Sequence, residues 1–476
     1  MTDRMQVFNR DELDLIHSSS MEILGKTGVQ FNSQSALELF DRHGYQRDGK
    51  CVYFKEQDIL KALEHAPSRF SVHARNPANN VSIGGDDFVM LPTGGAPNVT
   101  KSNGEQRPAT FEDYRTCCKL VQTSDQLDMN GWLMIQPADL APHTAHLDML
   151  LANMVMCDKA FVGAAMHTQA TGHCLDMAAI VWGGKEKLKR QPVMATIVNA
   201  ASPLKYSADE ADAIIQMAAA GQALVITDLV MAGLSGPISL PGLLTVVNAE
   251  ILAGIVLAEL SGPGTPVVYG SVSAPADMRT VNSAVGAPEA VILASAVIQL
   301  AQLYGLPCRT GGMLTNSHFP DFQAAAEGTL MMATALRGGA NFIFHACGQL
   351  GSYISMSFEK WLVDEEVCGM LRRILNGMQI TVESIDIETI KDVGIDGNYL
   401  IHPTTFKHFR TLHQPKIFTR NEYSTWFAKG GKRADQVAAA NLKSRLDEYI
   451  KPDIDDGLEQ ALREYVNLNS QPNSAV

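Results

Sequence analysis

Apolar residues run along this chain in two rhythms. Over residues 8–25, FNRDELDLIHSSSMEILG, they recur at helical spacing behind Asn9, which is placed to cap a helix, and Gly25 is a natural stop. Residues 33–64 keep that period with one break at HGYQRDGKCVYF, a turn and short strand. From about residue 86 short, continuously apolar runs alternate with a turn and a longer amphipathic or alanine-rich segment. Eight runs qualify as strands: DFVMLPT (87–93), WLMIQP (132–137), AFVGAA (160–165), VMATIVN (193–199), ALVITDLV (223–230), PVVYG (266–270), LPCRTGG (306–312) and NFIFHA (341–346). Their spacing is that of βα units, and such unbroken apolar runs suit parallel strands buried on both faces. The pattern predicts an α/β fold: a (β/α)8 TIM barrel over 86–375, a mostly helical N-terminal extension over 1–85, and a C-terminal helical cap and tail over 376–476. Within the tail NLKSRLDEYIKP reads as a charged helix, and the last six or so residues of SQPNSAV as disordered.

Composition narrows the function. At 476 residues and 46% apolar content the chain can bury a large core. A formal charge of −13, with 38 basic against 51 acidic residues and no basic run, opposes contact with a phosphate backbone and argues against nucleic acid. The start, MTDRMQVFNRDELDL, lacks the apolar core of a signal peptide, and no stretch reads as a charge-free membrane span, so no membrane is expected and the cytoplasm is the predicted compartment. The eight cysteines form no CxxC pair, which argues against a disulfide framework or a zinc ribbon. No GxGxxG opens a helix, and neither GxxxxGK[ST] nor GxSxG occurs. A homo-oligomer is expected from the size of the chain and its accessory layer.

In a barrel the reactive groups sit where strands end. Those positions hold Thr93-Gly94-Gly95, Gln136, Met166-His167, Asn199, Asp228, Tyr269-Gly270, Gly311-Gly312-Met313 and His345. His143, His146, His167 and His173 could ligate a metal, but HxxH without the glutamate of HExxH is generic, and a hydrogen-bonded histidine is the simpler reading. Glu250 and Glu289 stand in apolar helical stretches, where each either marks a site, pairs with Arg279 or Arg337, or faces water. Trp132, Tyr269, Phe344, Tyr353, Phe358 and Trp361 could wall a cation pocket, with core packing as the competing role.

Three stretches stand out together: MAGLSGPISLPGLLTVVNAEILAGIVLAEL (231–260), GAPEAVILASAVIQLAQLYGLPCRTGG (286–312) with PDFQAAAEGTLMMATALRGGANFI (320–343), and NYLIHPTTFKHFR (398–410). They resemble the trimethylamine methyltransferase family, and the likeness covers nearly the whole chain. The resemblance implies a barrel that demethylates a methylated amine and gives the methyl to the Co(I) corrinoid of a separate small corrinoid protein docked at its mouth. The corrinoid then belongs to the partner, and no metal is expected on this chain. Archaeal trimethylamine enzymes of the family carry pyrrolysine after the strand matching LPCRTGG, near Gly312-Met313, where this chain has ordinary residues. It therefore resembles the non-pyrrolysine branch, which acts on quaternary amines such as glycine betaine, proline betaine, carnitine and γ-butyrobetaine. Glycine betaine is the first expectation.

A quaternary nitrogen is already a good leaving group, so the barrel must supply position and desolvation rather than a general base. Glu250, Gln323 and His345 are the expected catalytic residues, the first two carried over from the family's NAE and PD-x-Q motifs. His345 is expected to bind the substrate carboxylate, helped by Gln349 or the backbone N–H groups of Gly311 and Gly312, with Met313 beside them. Asp228, Glu250 and an aromatic wall of Tyr269, Phe344, Tyr353 and Trp361 are expected at the ammonium end. Two alternatives stay open: a metal-dependent barrel lyase or hydrolase built on the histidines, and a betaine-binding protein without turnover.

Overall fold

The computed structural model describes residues 4–470; the final six residues, expected to be disordered, lie outside them. Eight parallel strands build the barrel: β1 (Val89–Met90), β2 (Met129–Asn130), β3 (Ala160–Gly163), β4 (Met194–Asn199), β5 (Ala223–Thr227), β6 (Val267–Gly270), β7 (Cys308–Gly311) and β8 (Phe342–Phe344). Their order is β1-β8-β7-β6-β5-β4-β3-β2. The seam between β1 and β2 is joined by Asp128 N donating to Met90 O at 2.9 Å, Gly95 N to Leu133 O at 2.7 Å and Gln136 N to Ala96 O at 2.9 Å. Each strand is followed by a helix: α1 (Phe111–Gln122), α2 (Ala145–Met156), α3 (Thr168–Trp182), α4 (Ala208–Ala219), α5 (Leu240–Ser261), α6 (Pro288–Leu303), α7 (Phe322–Gly338) and α8 (Phe358–Leu375).

Seven of the eight predicted runs contain their strand. The exception is WLMIQP, because the paired segment is Met129–Asn130 just before it. Met134 and Ile135 are buried, and the run pairs with the segment after β1 at the single bridge of Ala96 with Ile135, which closes the seam but is too short to form a strand.

The N-terminal extension explains α5. This 22-residue helix is apolar all round and long enough to cross a membrane by length and composition. Here it is buried on both sides, by β5 inward and by the helices Arg10–Lys26 and Glu56–His65 outward. The first of these starts as expected, with Asn9 Oδ1 accepting from Glu12 N at 3.0 Å and Asn9 N donating to Glu12 Oε2 at 2.8 Å. It runs past Gly25 to Lys26, and the reversal falls at Gly28, where φ is +74° and a β-carbon would lie 2.6 Å from Val52 O. The C-terminal cap is helical: Ala434–Asp447 lies along α8 and α1, and Asp456–Asn469 along α2 and α3.

Candidate active site

Short strands after the barrel strands raise walls around the mouth. Asn98–Thr100 and Gln106–Pro108 follow β1 and join Gln349–Leu350 and Ser355–Met356, which follow β8, in one four-stranded sheet. Between these walls the strand ends enclose a cavity of about 320 Å³. A larger cleft of about 590 Å³ lies on the barrel flank between α1, α8 and the C-terminal helices. Both of its strong cations are paired, Arg445 with Glu365 and Lys416 with Asp125, whereas the cation at the mouth is not.

The cavity is walled by the rings of Trp132, Phe344 and Tyr353 and by aliphatic side chains including Val162, Ile197 and Val272. Glycine makes the room: a β-carbon at Gly94 would lie 2.3 Å from Phe344 Cζ. Its one charged group is Arg309, on β7 and only 2% exposed. The guanidinium reaches Thr227 Oγ1 at 3.5 Å, sits 5.7 Å from the Phe344 ring centre, has no carboxylate within 4.0 Å among the described residues, and leaves Nε without a partner. Burial brings its pKa down to about 10, opposed by Tyr353 and Asp228. The Tyr353 hydroxyl, in the same wall, is also buried and unpartnered.

His345 follows β8 with φ +63°, an unusual conformation for a non-glycine residue that turns the chain over the cavity. Its Nδ1 is engaged on the barrel side, accepting from Gly94 N at 3.2 Å and lying 3.2 Å from Gln349 Oε1, while Gln349 in turn accepts from Thr93 Oγ1. Burial, and then the charge of Arg309, hold the imidazole well below the usual histidine range, so it is neutral.

Of the residues singled out from sequence, the fold gathers Phe344, His345 and Tyr353 at the cavity, with Trp132 and Asn199, and puts Gln349 directly behind His345. Gly94, Gly95 and Met166 of the predicted strand ends line the cavity too, whereas the following residues lie elsewhere. Glu250 is buried in α5, accepting from Ser202 Oγ and Leu204 N, both at 2.6 Å, and so fastens the loop after β4. Asp228 accepts from Ser271 Oγ at 2.6 Å and Ser273 Oγ at 3.0 Å; burial and the neighbouring Glu250 raise its carboxyl well above the usual range. Tyr269 points outward, its hydroxyl donating to Asn248 Oδ1 of α5 at 2.9 Å. Gln323 is exposed at the start of α7, donating to Glu327 Oε1 at 2.9 Å. Trp361 is core, its indole donating to Glu365 Oε1 at 2.9 Å. Gly311, Gly312 and Met313 form the turn behind the cavity wall, where Gly312 N donates to Phe344 O and Met313 N to His345 O, both at 2.8 Å. A β-carbon at Gly312 would lie 2.8 Å from Ala346 Cα, so this position takes no side chain in this backbone.

The histidines of α2 and α3 hold one another. His146 Nε2 lies 2.9 Å from His173 Nδ1, and the His167 ring packs edge-on against His146. Burial lowers His146 to about 4. No group of three or more His, Cys, Asp or Glu converges as metal ligands would among the described residues. Glu289 is exposed in the first turn of α6.

Sequence reasoning missed Arg309. The signal was present: an arginine inside a strand buried on both faces demands a partner, and LPCRTGG offers none.

A parallel eight-stranded barrel with a small aromatic cavity at its strand ends, centred on an unpaired guanidinium, defines a barrel enzyme for a small charged molecule. Solved structures agree on the fold: a hydroxylamine complex of a monomethylamine-type methyltransferase superposes with a TM-score of 0.55 at 10% identity, covering 95% of this chain and 90% of the other. The Methanosarcina barkeri monomethylamine methyltransferase gives 0.54 at 10%, covering 94% and 90%. The family model for trimethylamine methyltransferase matches residues 1–472, and the chain belongs to that family of methyltransferases. Relatives include a glycine betaine methyltransferase of Desulfitobacterium hafniense (strain Y51), 38% identical over 97% of both chains. A proline betaine:corrinoid methyltransferase of Eubacterium limosum is 33% identical over 96% of both. A trimethylamine methyltransferase of Desulfitobacterium hafniense (strain DSM 10664 / DCB-2) is 32% identical over 96% of this chain and 93% of its own.

Proposed function

We propose that this enzyme demethylates a carboxylated quaternary amine, glycine betaine foremost, and passes the methyl to the Co(I) corrinoid of a separate corrinoid protein at the barrel mouth. The observation that carries this reading is the buried, unpaired Arg309. A lone cation out of water is costly, and an anion delivered by the substrate relieves that cost. A betaine brings a carboxylate to meet it, while Trp132, Phe344 and Tyr353 supply aromatic faces for the trimethylammonium end. Trimethylamine brings no anion. The resemblance to betaine methyltransferases supports the same class.

Arg309 takes over the role sequence reasoning gave to His345, because a neutral imidazole offers a hydrogen bond and no charge. His345 then orients the carboxylate from the side, its Nδ1 held between Gly94 and Gln349. The remaining walls exclude water and aim one N-methyl group at the mouth. No proton need move, since the departing tertiary amine leaves neutral; this suits a cavity that no carboxylate lines among the described residues. The corrinoid, when docked, supplies the methyl acceptor. Exposed apolar side chains beyond the strand ends, among them Met166, Leu234, Ile238, Met278 and Val281 in the loops and Phe322 at the start of α7, fit such docking.

The test is anaerobic incubation of the purified enzyme and a Co(I) corrinoid protein with glycine betaine, proline betaine, carnitine, γ-butyrobetaine or trimethylamine, following the cobalt absorption. Loss of the Co(I) spectrum with one betaine and not with trimethylamine is expected. No change with any of them, given a competent corrinoid protein, would overturn the reading.

A further inference from the structure

From residue 369 to residue 416 no residue is buried. A solvated loop would be polar, yet this segment is rich in large apolar side chains. Among the described residues 30 large hydrophobics are exposed, and 14 of them lie between Ile374 and Leu412. Val382 is 84% exposed, Ile395 fully exposed, and Leu400 and Ile401 more than 70%. The segment has local structure of its own, with the helices Ile387–Val393 and Pro403–His408 linked by His402 Nε2 to Asp392 Oδ2 at 3.1 Å and Thr389 Oγ1 to Thr404 Oγ1 at 3.1 Å. Both ends are fastened to the body. Arg373 Nη1 donates to Gly377 O at 2.5 Å, and Glu366 Oε2 accepts from Lys416 N at 2.9 Å and Ile417 N at 3.1 Å. It is a structured arm with both roots anchored and no residue buried by its own chain.

We propose that residues 377–412 form an arm that packs on a second copy of this chain about a two-fold axis. Three observations select that occupant. First, area: at roughly 100 Å² for each large apolar side chain, two arms can bury on the order of 2,000–3,000 Å², the range of obligate homodimers. Second, charge: five carboxylates (Glu383, Asp386, Glu388, Asp392, Asp396) against three cations (Lys391, Lys407, Arg410) leave the arm close to neutral, without the field that a charged partner or an anionic membrane would need. Third, position: at the end of α8 Arg372 pairs with Asp128 at 2.5 Å, just before β2, so the arm leaves from the N-terminal end of the barrel. The cavity is at the other end. A two-fold pairing there repeats one self-complementary patch and keeps both mouths open to substrate and to a methyl acceptor. The inference stands independently of the substrate reading.

The experiment is sedimentation equilibrium of the full-length protein at low micromolar concentration, with cross-linking mass spectrometry on an equal mixture of 15N-labelled and unlabelled chains. A two-chain species is expected, with mixed-label cross-links from Lys391 and Lys407. The double substitution Val382→Asp, Ile401→Asp changes only side chains that one chain exposes. It is expected to weaken association at least tenfold with an unchanged circular dichroism spectrum. A wild-type protein that sediments as one chain overturns the proposal, as does a dimer whose arm lysines cross-link only within their own chain. Protection of the arm by anionic vesicles or by a corrinoid protein alone would give it to that occupant and overturn the proposal equally.

Discussion

Gly270 stands opposite Arg309 in the ladder between β6 and β7, and a β-carbon at 270 would lie 2.5 Å from that of Arg309. The glycine is therefore the space in which the buried arginine turns into the cavity. Replacing it with alanine leaves the strand able to pair and displaces the guanidinium. Gly270→Ala is expected to raise KM for the betaine at least tenfold while the circular dichroism spectrum stays that of the parent. An unchanged KM would show that Arg309 does not need this gap.

His345 is held neutral by burial and by Arg309, so it contributes no charge to substrate binding near neutral pH. An imidazolium that gripped a carboxylate would lose its hold as pH rose through about 6.5. The expected result is different: the ratio of betaine affinities for the parent and His345→Gln, measured by calorimetry, stays constant from about pH 6 to 8. A ratio that falls tenfold over that interval would restore the imidazolium.

Glu250 gives stability the opposite pH dependence from an ordinary paired carboxylate. Burial raises its pKa from 4.5 to about 7, offset by the bonds from Ser202 and Leu204. A raised folded value means that its contribution is present in full below the unfolded value and is lost as pH rises through about 7. Glutamine does not titrate. The difference in melting temperature between the parent and Glu250→Gln should narrow as pH is raised from about 5 to 8; a widening difference would mean that the carboxylate is ionised and stabilising in the fold.

Lys360 and Asp364 form a buried ion pair at 2.6 Å, and Lys360 Nζ also donates to Met313 O at 3.0 Å while Gly348 N donates to Asp364 Oδ2 at 2.9 Å. The pair ties α8 to the turns after β7 and β8 that carry the cavity wall. Truncating one partner leaves a buried charge alone, so Lys360→Ala should lose about 3–5 kcal/mol in denaturant unfolding. The double change Lys360→Met, Asp364→Leu should lose less than the single one. A larger loss in the double variant would mean that the backbone bonds carry the stability.

The barrel was legible because strands buried on both faces leave apolar runs that turns punctuate at regular spacing. WLMIQP misled because Trp132, Met134 and Ile135 are buried while the run pairs at a single bridge only, with the barrel strand falling just before it. The site was harder to read, since a strand position does not reveal which way its side chain faces. Tyr269 and Arg309 both lie within neighbouring barrel strands, yet Tyr269 reaches out to Asn248 while Arg309 turns in. Glu250 drew attention as a carboxylate in an apolar helix, and its partners are the backbone and serine of a loop 46 to 48 residues upstream. Such partners are fixed only by tertiary contact. The family resemblance supplied the chemistry, and in the proposed function the charge that answers it is assigned to Arg309, where the sequence had pointed to His345.

The most direct test compares glycine betaine with choline, which keeps the trimethylammonium group and replaces the carboxylate by a hydroxymethyl group, in the parent and in Arg309→Met. The rate of Co(I) consumption at limiting substrate gives the selectivity. Loss of one charge-assisted, buried carboxylate contact is worth about 3 kcal/mol, or roughly 100-fold. The parent is predicted to favour glycine betaine by about that factor, and Arg309→Met to lose the preference by slowing on betaine alone. A parent that demethylates both equally, or a variant that keeps the preference, would contradict the account.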